Sequence, residues 1–468
     1  DYISGLGVTH VQILPAFDFE TVDEKNQKAQ YNWGYDPDNY NVPEGSYAVS
    51  PYDGAVRIQE MKQMVLALHS RGIGVIMDVV FNHTYRRDDS NLQKIVPGYY
   101  YRSDETGYTN GSGCGNEVAS DRPMVQKLIV DSLIYWAKEY HIDGFRFDLM
   151  GVLDIDTMNV IAERLKEIRP DLYLYGEGWN GGPSSLAEEK RAFKASAKKM
   201  PRIGMFNDDI RDTIKGSVFY DDHLGFVNGG THLENALRYG ITGAVAHPQV
   251  DYDAYGSKPW AKEPGQSINY VSCHDNYTLW DKLSVSCPEA SEEKKKAMNR
   301  LCAAIVFTSQ GVPFIQAGEE FLRSKPLPEK KGFAENSYNM PDAVNSIKWD
   351  NIHEYPDMIA YYKGLMALRK AHPVFRMQSE AEMTQNLCFL SDTPENVVAY
   401  LLKGKGADDT PENILVIFNG NDKEILYNLP EGKWKILVDD KTAGADGKKN
   451  ISEKVDVEPL SALVLEKE

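Results

Sequence analysis

Residues 141–150, His-Ile-Asp-Gly-Phe-Arg-Phe-Asp-Leu-Met, set a cation and a carboxylate inside a run that otherwise reads as a buried strand. Ile142, Phe145, Phe147 and Leu149 are apolar and β-compatible, so the polar residues among them need a reason to be there. Side chains alternate along a strand, which puts Arg146 and Asp148 on the same side. A cation fixed beside a carboxylate keeps it ionised and oriented, as a carboxylate nucleophile requires. A structural ion pair at a strand end is the other reading of these two residues taken alone.

They are not alone. Asp78 interrupts the apolar run at 74–81 and Asn82 and His83 end it, Glu177 ends the run at 172–176, and His274 and Asp275 end the run at 268–273. Eight polar side chains, four of them carboxylates, therefore stand at the ends of four strand-like segments. Like charges crowded together cost free energy, so stabilisation does not explain them. Paired carboxylates about 5 to 5.5 Å apart hydrolyse glycosidic bonds with retention, one as nucleophile and the other as acid and then base. Asp148 has the cation beside it. Glu177 precedes Gly178 and Trp179, where a less polar setting suited to a general acid is expected. Asp275 with His274 could hold sugar hydroxyls and stabilise an oxocarbenium-like transition state. The faces of glucose are apolar, which gives Tyr35 and Trp179 a use. Metal-assisted hydrolysis on the His/Asp cluster is the runner-up, disfavoured because His83 and His274 lie on different strands without a His-x-x-x-His pairing.

The elements that must carry these residues follow from periodicity. Residues 8–15 form a first strand stopped by proline. The loop after it holds Tyr31-Asn32-Trp33-Gly34-Tyr35-Asp36-Pro37, whose rings must pack on the scaffold or face a ligand. Helical spacing spans 55–69, ahead of the strand at 74–81. A polar excursion over 84–120 precedes a helix with Asp121 as N-cap, Pro123 in its first turn and a stripe at Val125, Leu128, Ile129, Ser132, Leu133 and Trp136. Residues 154–168 repeat the helical spacing and 172–177 make the next strand. A charged helical face is expected at 187–199, then strands at 203–206, 268–273 and 312–317, with a Gly-, Tyr- and Asp-rich stretch over about 217–266.

Strand alternates with helix throughout, and no Gly-x-Gly-x-x-Gly follows a strand, so a nucleotide-binding doubly wound sheet is disfavoured. About eight βα units with long inserts describe an α/β fold of the (β/α)8 TIM-barrel type. The 29 positions from Asp148 to Glu177 fit one βα unit. Beyond His372-Pro373 the pattern changes to short alternating strands at 397–402, 414–418, 433–438 and 462–465, a C-terminal antiparallel β-sandwich. The division is a catalytic barrel over 1–374 and a sandwich over 375–468.

Composition narrows the partners. The chain has 468 residues, is 42% hydrophobic and carries a net charge of −18. It is read as soluble: no apolar run approaches the roughly 20 residues of a membrane span, and the acidity argues against nucleic acid and fits a neutral ligand. The five cysteines are scattered, forming neither a disulfide framework nor a Cys-x-x-Cys site, so the compartment stays open. Residue 1 falls inside what reads as the last turn of a helix, from which missing upstream sequence is expected.

Asp78-Val79-Val80-Phe81-Asn82-His83, Gly144-Phe145-Arg146-Phe147-Asp148, Gly176-Glu177-Gly178-Trp179 and Val271-Ser272-Cys273-His274-Asp275-Asn276 resemble the four ordered motifs of the α-amylase superfamily, glycoside hydrolase family 13. The Tyr31 to Pro37 loop further resembles the signature of its debranching members, the type I pullulanases. The resemblance implies an endo-acting hydrolase of α-1,6-glucosidic links in pullulan, branched dextrins or glycogen. It makes Asp148 nucleophile, Glu177 acid/base and Asp275 transition-state stabiliser. It places Tyr35, His83, Arg146 and His274 around the cleaved glucose, Trp179 on the acceptor side, and Asp342 and Asn345 in a downstream glucan-contacting segment. No cofactor or metal is implied, and the short insert after the third strand leaves the calcium site of many amylases without support. The usual N-terminal carbohydrate-binding modules are not in this sequence. An α-1,4-acting amylase, a branching enzyme and a non-catalytic glucan-binding barrel are the alternatives. A non-catalytic barrel is expected to lose one of the three carboxylates.

Overall fold

The computed structural model describes residues 1–255, 258–406, 411–447 and 449–468. The chain divides into two compact units. One comprises Asp1, Val8–Phe206 and Tyr338–Pro341; the other comprises Tyr2–Gly7, Asn207–Ser337 and Asp342–Glu468. Gly256 and Ser257, inside the expected Gly-, Tyr- and Asp-rich stretch, lie outside the described residues.

In the first unit the parallel strands are β1 (His10–Ile13), β2 (Gly74–Val79), β3 (Gly144–Phe147), β4 (Tyr173–Gly176) and β5 (Ile203–Phe206). Each pairs in parallel with the next in chain order. Helices α1 (Gly54–His69), α2 (Pro123–Glu139) and α3 (Ile155–Ile168) make the returns to β2, β3 and β4, as parallel pairing requires. Val75, Met77, Phe145 and Phe147 are wholly buried, the mark of strands covered on both faces. Gly176 ends β4 because a Cβ there would lie 2.6 Å from the Phe147 carbonyl oxygen.

Two local expectations are corrected. Arg122, not Asp121, occupies the N-cap of α2, with no side-chain cap bond, because the Asp121 carboxylate is taken by Arg102 at 2.6 Å. The charged stretch at 187–199 is not a helix but two short 3₁₀ turns, Glu188–Lys190 and Lys194–Lys199. Backbone bonds from Ala192 to Leu153 and from Lys194 to Gly178 tie the chain down between them, which a continuous helix could not allow.

The second unit carries β6 (Ser267–Asn269) and β7 (Val312–Pro313), a parallel pair, with helices α4 (Asp208–Lys215), α5 (Glu234–Ile241), α6 (Leu279–Ser286), α7 (Glu292–Thr308) and α8 (Pro356–Ala371). Both strands are shorter than their apolar runs, whose remaining residues lie outside regular secondary structure. After α8 come β8 (Leu387–Phe389), β9 (Val397–Lys405), β10 (Pro411–Asn419), β11 (Ile425–Asn428), β12 (Trp434–Val438), β13 (Asn450–Ile451), β14 (Lys454–Val457) and β15 (Ser461–Lys467). They form an antiparallel sheet in the order β8-β9-β10-β15-β12-β13 and a second pair, β11-β14. Val397, Leu415, Ile417, Tyr427, Trp434, Val457 and Leu465 from both sheets share one apolar cluster, which makes the two sheets a sandwich. Among the described residues no helix is long and apolar enough to cross a membrane.

The close approach at Gly176 sets a test. Gly176→Ala should lower stability by about 1–3 kcal/mol, the usual cost of forcing a methyl into filled space, read from the urea midpoint of unfolding.

Candidate active site

Register builds the cluster in the first unit. Asp78 on β2 stands opposite Arg146 on β3, which stands opposite Tyr175 on β4. Arg146 is 2% exposed, and its guanidinium reaches three carboxylates: Nη1 lies 2.9 Å from Asp78 Oδ1 and 3.0 Å from Asp148 Oδ1, and Nη2 lies 2.7 Å from Glu177 Oε1. One cation thus spans Asp148 and Glu177, which stand just past the ends of adjacent strands. A buried guanidinium is tolerated because the charges around it offset its desolvation, and they hold it firmly protonated despite burial.

Each carboxylate has a second anchor. Asn82 Nδ2 donates to Asp148 Oδ2 at 2.8 Å and to the Asp148 carbonyl at 2.9 Å. Glu177 Oε2 accepts the Leu149 backbone N–H at 2.9 Å. Leu149 adopts φ 38°, a left-handed conformation costly for a branched side chain, and the turn it makes presents that N–H. The less polar setting expected for Glu177 is therefore not what the structure has. Both its oxygens accept hydrogen bonds, because Glu177 follows directly on the strand that flanks Arg146. Asp78, fully buried, is pushed up to about 7 chiefly by desolvation and by Asp148, against the pull of Arg146. Its Oδ2 accepts from Tyr35 at 2.7 Å and from Gln12 Nε2 at 3.3 Å.

The aromatic loop divides its rings between the two expectations. Trp33 is buried, its N–H on the Tyr338 carbonyl at 2.9 Å, while half-buried Tyr35 turns into the cluster with its ring 5.6 Å from the Arg146 guanidinium carbon. Gly34 makes that division possible: φ is +92° and a Cβ would stand 2.9 Å from both the Pro15 carbonyl oxygen and the Phe19 ring. His83 donates from Nδ1 to Asn82 Oδ1 at 2.6 Å, and burial lowers its pKa, so the imidazole stays neutral. Trp179 is half-buried, and its carbonyl accepts from Gly151 at 3.0 Å.

The second unit holds the other four residues. His274 Nε2 lies 3.5 Å from Asp275 Oδ2. Lys325 Nζ donates to the carbonyls of His274 at 3.2 Å and Asn276 at 2.5 Å, one on each side of Asp275. Asp342 is exposed, whereas Asn345 is buried with its amide on Ser337, both bonds 2.8 Å. Among the described residues, Cys273, His274 and Asp275 form one of three groups whose potential metal-ligating atoms lie within 4.8 Å of one another; the others are His372, Glu412 and Glu466, and Asp18, Glu24 and Glu44. In the last, Arg57 already pairs with Glu24 at 2.5 Å and Asp18 at 3.9 Å.

Sequence reasoning missed Gln12, Tyr175 and the Leu149 N–H. Gln12 was traceable as the polar residue interrupting Val11-Gln12-Ile13-Leu14, and Tyr175 donates to it. A main-chain donor leaves no trace in side-chain identity.

Residues 1–95 match the family described as alpha amylase, catalytic domain, and residues 384–442 match pullulanase, all-beta domain. A pullulanase of Bacillus subtilis is 42% identical over 94% of this chain and 59% of its own length. The chloroplastic pullulanase 1 of Arabidopsis thaliana is 31% identical over 92% of this chain and 56% of its own. Among solved structures, the Bacillus acidopullulyticus pullulanase has TM-score 0.92 and 43% identity, covering 99% of this chain and 55% of that one. The Paenibacillus barengoltzii pullulanase, in complex with maltohexaose and α-cyclodextrin, has TM-score 0.91 and 44% identity, covering 100% and 70%. The chain spans between half and three fifths of the length of these two curated relatives. At such similarity its fold is a (β/α)8 barrel with a C-terminal antiparallel β domain.

Removing the shared cation should be severe. Arg146→Met leaves three carboxylates without their common partner, and a loss of about 3–5 kcal/mol is expected, measured by urea unfolding at neutral pH.

Proposed function

The chain belongs to the type I pullulanases of the α-amylase superfamily, and from that premise we propose that it is a retaining endo-hydrolase of α-1,6-glucosidic linkages in pullulan, branched dextrins or glycogen. The observation that carries this is the single buried guanidinium bridging Asp148 and Glu177. Residues 1–374 form the catalytic barrel and 375–468 the sandwich domain in this reading.

The chemistry follows from the contacts. Asp148, paired with Arg146 and oriented by Asn82, attacks the anomeric carbon while Glu177 protonates the departing glycosidic oxygen. The glycosyl–enzyme ester is then hydrolysed by water that Glu177 deprotonates. Arg146 Nη2 and the Leu149 N–H each hold one oxygen of Glu177, which fixes the orientation of the carboxyl for both halves. Asp275 stabilises the oxocarbenium-like transition state, and His274, His83 and Tyr35 line the glucose being cleaved. Neutral His83 suits an uncharged sugar, since it offers a hydrogen bond without a buried charge. Trp179 receives the acceptor side and Asp342 the neighbouring glucan, while buried Asn345, bonded to Ser337, shapes the segment that presents Asp342. Two carboxylates suffice for this hydrolysis, so no cofactor enters it, and the partner is the α-glucan itself.

Linkage choice rests on the Tyr35 loop. Incubation with pullulan and with unbranched amylose tests it: maltotriose from pullulan and nothing from amylose is expected, and the reverse outcome makes the chain an α-1,4-acting enzyme. Glu177→Gln should reduce turnover by roughly 10²- to 10⁴-fold with an unchanged far-ultraviolet circular dichroism spectrum. Retained turnover in that variant removes Glu177 from the acid role.

A further inference from the structure

We propose that Lys325 is a positioning residue for Asp275: its ammonium ties down the main chain on both sides of that carboxylate, and losing the ammonium's charge releases the tie. The proposal rests on the assignment of Asp275 as transition-state stabiliser.

The geometry is specific. An ammonium has three N–H donors, and Lys325 Nζ directs them at three carbonyl oxygens: His274 at 3.2 Å, Asn276 at 2.5 Å and Glu335 at 3.1 Å. Lys325 is 1% exposed. Its own main chain is pinned, since its N–H donates to Asp281 Oδ2 at 2.8 Å and its carbonyl accepts from Ala334 at 2.8 Å. Asp281, buried in the first turn of α6, also accepts from Ser324 at 2.5 Å. The held segment contains a tight turn, with Asn276 at φ 59°, in the left-handed region that asparagine enters more easily than most residues. The Asp275 side chain, between the two tethered carbonyls, is 46% exposed against 15% for His274, so packing does little to place it.

The charged and titratable groups that act on Lys325 are Asp281, Cys273 and Asp275, which favour its charge, and Arg323, which opposes it. Burial outweighs them and brings its pKa down to about 8. Above that pH the amine has two donors for three carbonyls. The linkage has a definite sign. Between about 8 and the ordinary 10.5 the unfolded chain keeps a proton that the folded chain has lost, so this group's contribution to fold stability rises with pH. Activity should therefore fall over a range in which Lys325 does not weaken the fold. A purely structural lysine predicts no such divergence.

The test measures kcat and KM on pullulan from about pH 6 to 10 for the wild type, Lys325→Met, Lys325→Arg and Asp275→Asn, with urea unfolding of each. Hydrogen–deuterium exchange is followed in peptides covering 270–280. Misplacing a catalytic group by about 1 Å costs up to 10²-fold. Lys325→Met should accordingly lower kcat roughly 10- to 100-fold at pH 7 with KM changed about threefold or less, and its exchange at 274–277 should quicken. Its residual activity should lack the alkaline decline near pH 8. Lys325→Arg, which cannot lose its charge, should move that decline upward. A folded Lys325→Met with wild-type kcat, or with the alkaline decline intact, overturns the proposal. If neither Lys325 variant folds, the wild type decides: flat activity and unchanged protection at 274–277, once exchange is corrected for its intrinsic rise with pH, refute the tie, and protection lost there through pH 8 supports it. Failure of the underlying reading looks different. A wild type inactive on pullulan, or an Asp275→Asn variant as active as wild type, removes the role of Asp275 and with it the purpose of the tie, whatever Lys325→Met does to exchange.

Discussion

The first unit depends on one buried cation. Asp78, Asp148 and Glu177 come from three parallel strands or their immediate ends, and side by side in a low-dielectric setting they would repel one another. Arg146 converts that repulsion into a fixed arrangement because its planar fork meets all three at 2.7 to 3.0 Å. A lysine could not, since a point charge on a flexible stem lacks the two separated nitrogens that Asp148 and Glu177 each require. The hydrogen bonds from Asn82, Tyr35, Gln12 and Leu149 then use the oxygen lone pairs the guanidinium leaves over.

The second unit solves a similar problem by other means. Around Asp275 the cation lies not against the carboxylate but against the neighbouring carbonyls, so the main chain is held while the carboxylate stays exposed. A lysine placed on peptide oxygens fixes the main chain without occupying the carboxylate. Asn345 shows the opposite case: its amide is spent on Ser337, and its contribution to the segment is to shape it.

Much of this was readable in the chain itself, for physical reasons. Apolar runs ending in Asp78, Asp148, Glu177 and Asp275 announce buried strands whose ends carry charge, because burial demands the first and chemistry the second. The helices over 54–69, 123–139 and 155–168 follow from apolar spacing. What stayed hidden depends on three-dimensional competition. Asp121 looks like a cap until Arg102 claims it, and 187–199 looks helical until its backbone is drawn onto Leu153 and Gly178. The polar surroundings of Glu177 were hidden for the same reason, since they come from a residue 31 positions earlier and from a backbone N–H.

The Leu149 turn has a consequence for anyone reshaping this cleft. The donor it gives Glu177 belongs to the peptide group, so the identity of the side chain at 149 is free of that duty and restricted only by a φ of 38°. Glycine, asparagine and aspartate enter that region most easily, and proline alone deletes the donor. Position 149 is therefore a place where a variant library can alter the side chain next to Glu177 while that carboxylate keeps its main-chain anchor.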